Sequence, residues 1–245
     1  MVGIRALWRL CATLRAAREW ASVVARNHPG GRGANRDYPG EVILAVDTSL
    51  GSAVALIDSD GSLRARAASP DPLGHAEVIG GLLEQVLADA GEITAVVAGM
   101  GPGPFTGLRI GIATARAFAL GRGIPVIAVP SHLGAALSVL EDDAPDSPFA
   151  IVTDARRREV AISVFDGLDP DGIPNLVEPT VLVPAADAEA RLGGIRSFEV
   201  AELDAADLAR VGLRAAAAGR ELTGPEPLYL RQPDVTVPGA PKRVS

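Results

Sequence analysis

Apolar and polar positions along the chain alternate between two periods, and the changes of period outline a succession of strands and helices. Residues 41–49, "EVILAVDTS", form a nearly unbroken apolar run closed by polar residues, the pattern of a buried strand. Residues 51–68, "GSAVALIDSDGSLRARAA", predict two further strands joined by an Asp60-Gly61 turn. In "HAEVIGGLLEQVLADAG", 75–91, apolar residues return every three or four positions, which predicts a helix with Gly91 as its C-cap. A buried strand, "ITAVVAG" at 93–99, leads into a glycine- and proline-rich loop and then into a second helix, "TGLRIGIATARAFALGRG" at 106–123. "IPVIAV" predicts a strand at 124–129, and "SHLGAALSVL" a helix at 131–140 with Ser131 as N-cap.

The second half repeats this order. Strands are predicted at 148–155, 158–167 and 175–183, then a short helix at 184–193, a strand at 197–202 and a helix at 204–219. Each half opens with three strands and then alternates helix and strand. That succession suggests a duplicated α/β unit with mixed sheets and covering helices, the first lobe spanning 41–142 and the second 143–235. Residues 1–40 read differently. Leu7, Leu10, Leu14, Ala17, Ala21 and Val24 recur at helical spacing over 4–26, and "NHPGGRGANRDYPG" follows as a linker. Arg5 and Arg9 interrupt what would be a signal-peptide apolar core. The expectation is a flexible basic extension, with a second tail at 236–245.

Composition narrows the class. The chain has 245 residues, 48% of them hydrophobic, enough for a substantial core. Apolar runs of about five to seven residues fall far short of the ~20 needed to span a bilayer. The single cysteine, Cys11, rules out an internal disulfide and a cysteine-based zinc site, and fits a reducing, cytoplasmic setting. The formal net charge is −7, although residues 1–40 carry seven arginines against Glu19 and Asp37. The body is therefore more acidic than the whole, which argues against a broad nucleic-acid surface of its own.

The loop "GMGPGPFTGLRIG", 99–111, lies between a strand and a helix, where phosphate-binding loops are found. A P-loop needs a lysine, and the only lysine is Lys242. A dinucleotide fingerprint needs an acidic residue on the next strand, and "IPVIAV" has none. What remains is Gly101 and Gly103 for close backbone approach, stiffening by Pro102 and Pro104, and Thr106 as a helix N-cap. An anion site and a rigid turn are both compatible with these residues. Asp47-Thr48-Ser49 closes the first strand at a turn, and Asp154 stands at the matching turn of the second half. Such acid-bearing turns hold metal-bound phosphates in actin-like and sugar-kinase-like ATPases; they also close on their own backbone without any ligand.

Taken together, "ILAVDTS" at 43–49, "GPGPFTGLRIG" at 101–111, "TDARRREV" at 153–160 and "PLYLR" at 227–231 resemble the TsaB family, also known as YeaZ. The resemblance covers about residues 41–235. Two positions depart from the family's pattern: Pro104 stands where Ser is usual, and Ala161 where Tyr is frequent. The resemblance implies an actin-like, ribonuclease H-like duplicated fold with two lobes and mixed sheets. It implies a non-catalytic subunit that pairs with a TsaD-type catalytic subunit and works with a TsaE-type ATPase. Together they support threonylcarbamoylation of the adenosine beside the tRNA anticodon. On this view the chain has no cofactor of its own, ATP or ADP and a metal belong to the partner subunits, and tRNA is reached through the complex. The paired-histidine HxxxH motif of TsaD is missing, since His75 and His132 stand 57 positions apart.

The resemblance places the partner surface on the first two helices of the N-terminal lobe. Val78, Ile79, Leu82, Leu83 and Val86 are the candidates on the first helix. Leu108, Gly111, Ile112, Ala115 and Ala119 are those on the second, where Gly111, Ala115 and Ala119 recur every four residues. The same surface would serve a homodimer of the isolated chain. Asp47, Thr48, Ser49, Gly101, Gly103, Thr106 and Asp154 are expected to outline a vestigial nucleotide cleft. Two other functions stay open: an active ATP-dependent phosphotransferase of the same superfamily, and a peptidase using Ser131 and His132.

Overall fold

Strand β1 (Glu41–Asp47) is buried on both faces, so it must be central, and the chain is built outward from it. A computed structural model of the chain describes residues 41–71 and 74–231. The predicted helix at 4–26, the linker after it, Cys11 and the 236–245 tail lie outside the described residues. β1 pairs antiparallel with β2 (Ser52–Asp58), which pairs antiparallel with β3 (Leu63–Ser69). On its other side β1 runs parallel to β4 (Glu92–Gly99), which runs parallel to β5 (Val126–Val129), giving the order β3-β2-β1-β4-β5. Helices α1 (His75–Leu87) and α2 (Phe105–Arg122) cover one face, where Val42, Leu44, Val46, Val96 and Ala98 meet Ile79, Val86, Leu108 and Ile112.

The second sheet repeats the plan. β6 (Phe149–Asp154) pairs antiparallel with β7 (Glu159–Leu168), and β7 with β8 (Pro174–Pro184). β9 (Arg196–Glu199) runs parallel to β6, so the order β8-β7-β6-β9 matches the first four places of the first sheet. A 3-10 turn (Ala185–Asp187) and the short helix α4 (Ala188–Leu192) lie against its outer face, over Ala150, Val152, Ile162 and Val164. This is the duplicated, mixed-sheet architecture expected of the actin-like, ribonuclease H-like class.

The two sheets share one core. Helices α3 (Ser131–Asp142) and α5 (Ala205–Ala217) lie between them. Their apolar residues pack with Ile43, Ala45 and Val97 of the first sheet and with Phe149, Ile151 and Phe165 of the second. Although α5 follows the second sheet in sequence, it packs against β1 and β2 of the first. Glycines permit the approach: a Cβ on Gly134 would lie 3.1 Å from the Leu208 backbone nitrogen, and one on Gly212 would strike the Val97 side chain. Asp204 caps α5, its carboxylate accepting from the Ala206 amide at 2.8 Å.

Candidate functional site

The Asp47-Thr48-Ser49 turn is sealed into the glycine loop. Asp47 is 2% exposed. One of its carboxylate oxygens accepts from the Ser49 amide at 2.7 Å and from the Ser49 hydroxyl at 2.5 Å, and the other accepts from the Ser131 hydroxyl at 2.5 Å. Thr48 Oγ1 donates to the Gly107 carbonyl at 2.7 Å and accepts from the Gly111 amide at 3.2 Å. Each glycine here meets a neighbour that a side chain would displace. A Cβ on Gly103 would lie 2.7 Å from Ser49 Cα, and one on Gly107 would lie 2.7 Å from His75 Nε2. A Cβ on Gly111 would overlap Thr48, and one on Gly99 would overlap Asp47. The glycines therefore serve close packing of α2 and its entry loop on the end of β1. Of the two readings open at sequence level, the rigid turn is the one that accounts for them.

Three capping expectations are corrected. Pro104, not Thr106, occupies the N-cap of α2; Thr106 lies exposed in the first turn. Pro130 occupies the N-cap of α3, and Ser131 turns inward, donating to Asp47 and accepting from the Gly101 amide at 3.0 Å. Helix α1 ends with Ala88 as its C-cap, so Gly91, at φ +69°, turns the chain after the helix instead of capping it. Each proline fixes an extended entry to its helix, with ψ of 134° at Pro104 and 126° at Pro130, and offers no side-chain acceptor to the first-turn amides.

The predicted cleft residues divide into two sets. Asp47, Thr48 and Ser49 are buried, as is Gly101. Gly103 and Asp154 instead line a cavity of about 230 Å³ between the glycine loop, the β6–β7 hairpin and the C-terminal segment, together with Arg156, Arg157, Tyr229 and Arg231. Asp154 is exposed and accepts from the Arg156 amide at 2.9 Å, closing its own turn. The C-terminal segment is held over the loop: Leu228 donates to the Met100 carbonyl at 2.8 Å, and Tyr229 packs on Phe105 with ring centroids 4.8 Å apart. Arg109 lies 3.8 Å over the Phe105 ring and donates to the Tyr229 hydroxyl at 3.0 Å.

Ser131 and His132 are neighbours in sequence but face different surroundings. His132 is 2% exposed and bonds Ser163 Oγ at 2.7 Å and Thr153 Oγ1 at 2.9 Å. Burial lowers its pKa to about 3, so the ring is neutral at pH 7. His75 bonds Ser52 Oγ at 2.9 Å, and both residues are buried. Each histidine thus has a serine partner, but neither pair reaches solvent or an acidic third member through the bonds it makes. Among the described residues no three His, Cys, Asp or Glu side chains converge as a metal site.

The helix-surface expectation is also corrected in register. Leu108, Gly111, Ile112, Ala115 and Ala119 face the first sheet and are buried in the chain's own core. Ile79 and Val86 of α1 are buried likewise, while Val78, Leu82 and Leu83 are half-buried. The outward side of α2 carries a second four-residue series, Ala113, Ala117 and Gly121, beside Leu120, which is 81% exposed. On α1, Ala76, Gly80 and Gly81 are exposed, and a Cβ on either glycine would meet nothing within 4 Å among the described residues.

Comparison with known proteins places this geometry. Residues 73–172 match the family model described as "TsaD: tRNA N6-adenosine threonylcarbamoyltransferase". An uncharacterized protein of Mycobacterium tuberculosis is 33% identical over 213 residues, covering 78% of this chain and 92% of that one. The tRNA threonylcarbamoyladenosine biosynthesis protein TsaB of Escherichia coli is 33% identical over 122 residues, covering 48% of this chain and 52% of that one, so the match spans about half of that protein. The solved structure of YeaZ from Pseudomonas aeruginosa superposes with a TM-score of 0.63 at 25% identity, covering 77% of this chain and 99% of that one. With the duplicated sheets, the sealed Asp-Thr-Ser turn and the glycine loop already in view, these matches show that the chain belongs to the TsaB (YeaZ) family.

Proposed function

We propose that the chain is a non-catalytic partner subunit in threonylcarbamoylation of tRNA, heterodimerising with a TsaD-type catalytic subunit and working with a TsaE-type ATPase. The observation that carries this reading is the outward face of α1 and α2. Leu120 stands 81% exposed beside Ala113, Ala117 and Gly121, and Gly80 and Gly81 are exposed with no neighbour among the described residues that requires them. Mid-helix glycine is unfavourable by about 1 kcal/mol relative to alanine. Small residues around an exposed leucine allow another helix to approach closely, and an isolated chain would use the same face to form an isologous homodimer. The buried Asp47 supports the non-catalytic part: both carboxylate oxygens are already engaged by hydroxyl and amide donors within the fold. ATP or ADP and a metal are assigned to the partner subunits.

Co-purification with a TsaD-type subunit tests the reading. Ala117→Glu and Leu120→Glu, both on the exposed side, are expected to abolish co-purification while leaving the melting temperature unchanged. Full binding by both variants would remove this face from the interface. Turnover of ATP by the purified chain alone would overturn the non-catalytic reading and favour a phosphotransferase.

A further inference from the structure

The body of the protein is acidic, but the mouth of the cavity beside the glycine loop is cationic. Arg156, Arg157 and Arg231 line it together with Asp154; Arg156 pairs with Asp154 at 3.2 Å and Arg231 with Glu159, so the arginines of the hairpin tip and its surroundings outnumber these two carboxylates. Arg109, stacked on Phe105 and bonded to Tyr229, lies against two of the other lining residues. Arg158 is exposed beside Arg157 at the tip of the β6–β7 hairpin.

Backbone geometry makes this tip unusual. Arg156, Arg157 and Arg158 have φ of 65°, 57° and 63°, three successive side-chain-bearing residues in the left-handed region. Glycine or asparagine adopts that region with far less strain. The turn is closed by two backbone bonds, Ala155 N to Glu159 O at 2.9 Å and Glu159 N to Arg156 O at 3.1 Å, and by the Asp154 carboxylate, which accepts from the Arg156 amide at 2.9 Å; none of these three bonds requires an arginine side chain. Strained positions of this kind gather at ligand-binding sites, where the side chain matters more than the strain it causes.

Guanidinium groups beside aromatic rings suit a phosphodiester flanked by an unstacked base. At about 230 Å³ the cavity is smaller than the roughly 300 Å³ at which sites begin to enclose small molecules. It therefore fits one nucleotide unit of a strand passing its mouth better than an enclosed free nucleotide. The geometry points to the β6–β7 hairpin tip and the adjoining Tyr229–Arg231 segment as a phosphodiester-binding site for RNA. This inference rests on the reading of the chain as a tRNA-modification subunit and adds to it direct contact with the RNA. The acidic surface elsewhere would confine the contact to this mouth.

The test uses the full-length chain and an unmodified tRNA anticodon stem-loop, with binding followed by fluorescence anisotropy across a salt series. Residues 1–40 carry seven arginines of their own, so the measurement is the difference between the wild type and a variant with Arg156→Gly, Arg157→Gly and Arg158→Gly. Glycine suits the left-handed backbone, so the variant is expected to keep or raise its Tm. Its affinity for the stem-loop is expected to fall by about tenfold or more. The slope of log K against log salt should become shallower by about 0.7–0.9 for each phosphate that the variant no longer neutralises. Equal affinity and slope in the two proteins would overturn the site, as would absence of stem-loop binding by the wild type. Displacement of the stem-loop by millimolar ATP would assign the mouth to a free nucleotide and equally overturn the RNA reading. Co-purification with the TsaD-type subunit, measured on the same variant, separates the two levels. Unchanged RNA binding with intact co-purification removes the RNA site alone, whereas a wild type that fails to co-purify removes the subunit reading beneath it.

Discussion

Asp47 closes β1 and is 2% exposed. At the end of a strand, before a turn, it has the appearance of a metal or phosphate ligand. Its partners, Ser49 two positions on and Ser131 eighty-four positions on, use both of its oxygens within the fold. The first partner was legible, since Asp-x-Ser turns close on themselves. The second was not, because nothing local announces a contact across 84 residues. Asp47→Ala would leave buried donors on Ser49 and Ser131 without acceptors and is expected to lower stability by about 2–4 kcal/mol in denaturant titration. His132 allows a second prediction at this scale. Its pKa is about 3 in the folded protein and close to 6.5 when unfolded, so below pH 6.5 the unfolded state binds the extra proton. The stability this neutral ring provides is fully present above pH 6.5. It is lost as pH falls toward 3, at a limiting rate of about 1.4 kcal/mol per pH unit. His132→Gln should flatten that dependence between about pH 6 and 4; an unchanged slope would place the effect on other groups.

At the scale of elements, every strand and helix predicted for residues 41–219 is present, because apolar periodicity and turn residues agree along this chain. Register on α2 was not legible. Gly111-Ala115-Ala119 and Ala113-Ala117-Gly121 are equivalent series of small residues on opposite sides of one helix. Only the position of the sheet decides that the first is inside. The same geometry sorts the glycines. Gly111→Ala would drive a methyl group into Thr48 and is expected to be destabilising by about 2 kcal/mol or more, despite alanine's better helix propensity. Gly80→Ala, with open space around it, is expected to stabilise the isolated chain by about 0.5–1 kcal/mol. Paired thermal melts check both signs at once. The arginines at the β6–β7 tip escaped a periodicity reading for a different reason: a three-residue turn with positive φ is signalled by glycine or asparagine, and neither stands there.

At the scale of the whole molecule, the two halves are less separate than their repeated sequence order suggests. The duplication was legible from the order of elements. The placement of α5 on the first sheet was not, because an amphipathic pattern states that a face is buried but not which sheet buries it. Residues 41–142 expressed alone would lack α5 and expose Ile43, Ala45 and Val97 on one face of a five-stranded sheet. That fragment is expected to aggregate or remain unfolded, as judged by near-UV circular dichroism and light scattering. A soluble, cooperatively melting fragment would show that the first half is self-sufficient.

The position of α5 also sets a timetable for synthesis. The last strand of the first sheet ends at Val129, while the helix that covers its inner face is complete only at Ala217. At synthesis rates of about 5–20 residues per second, the newly made sheet spends on the order of ten seconds on the ribosome without its cover. During that interval the nascent chain presents an apolar surface to whatever is nearby, so the yield of this protein should depend on chaperone capacity and on the speed at which the second half is translated.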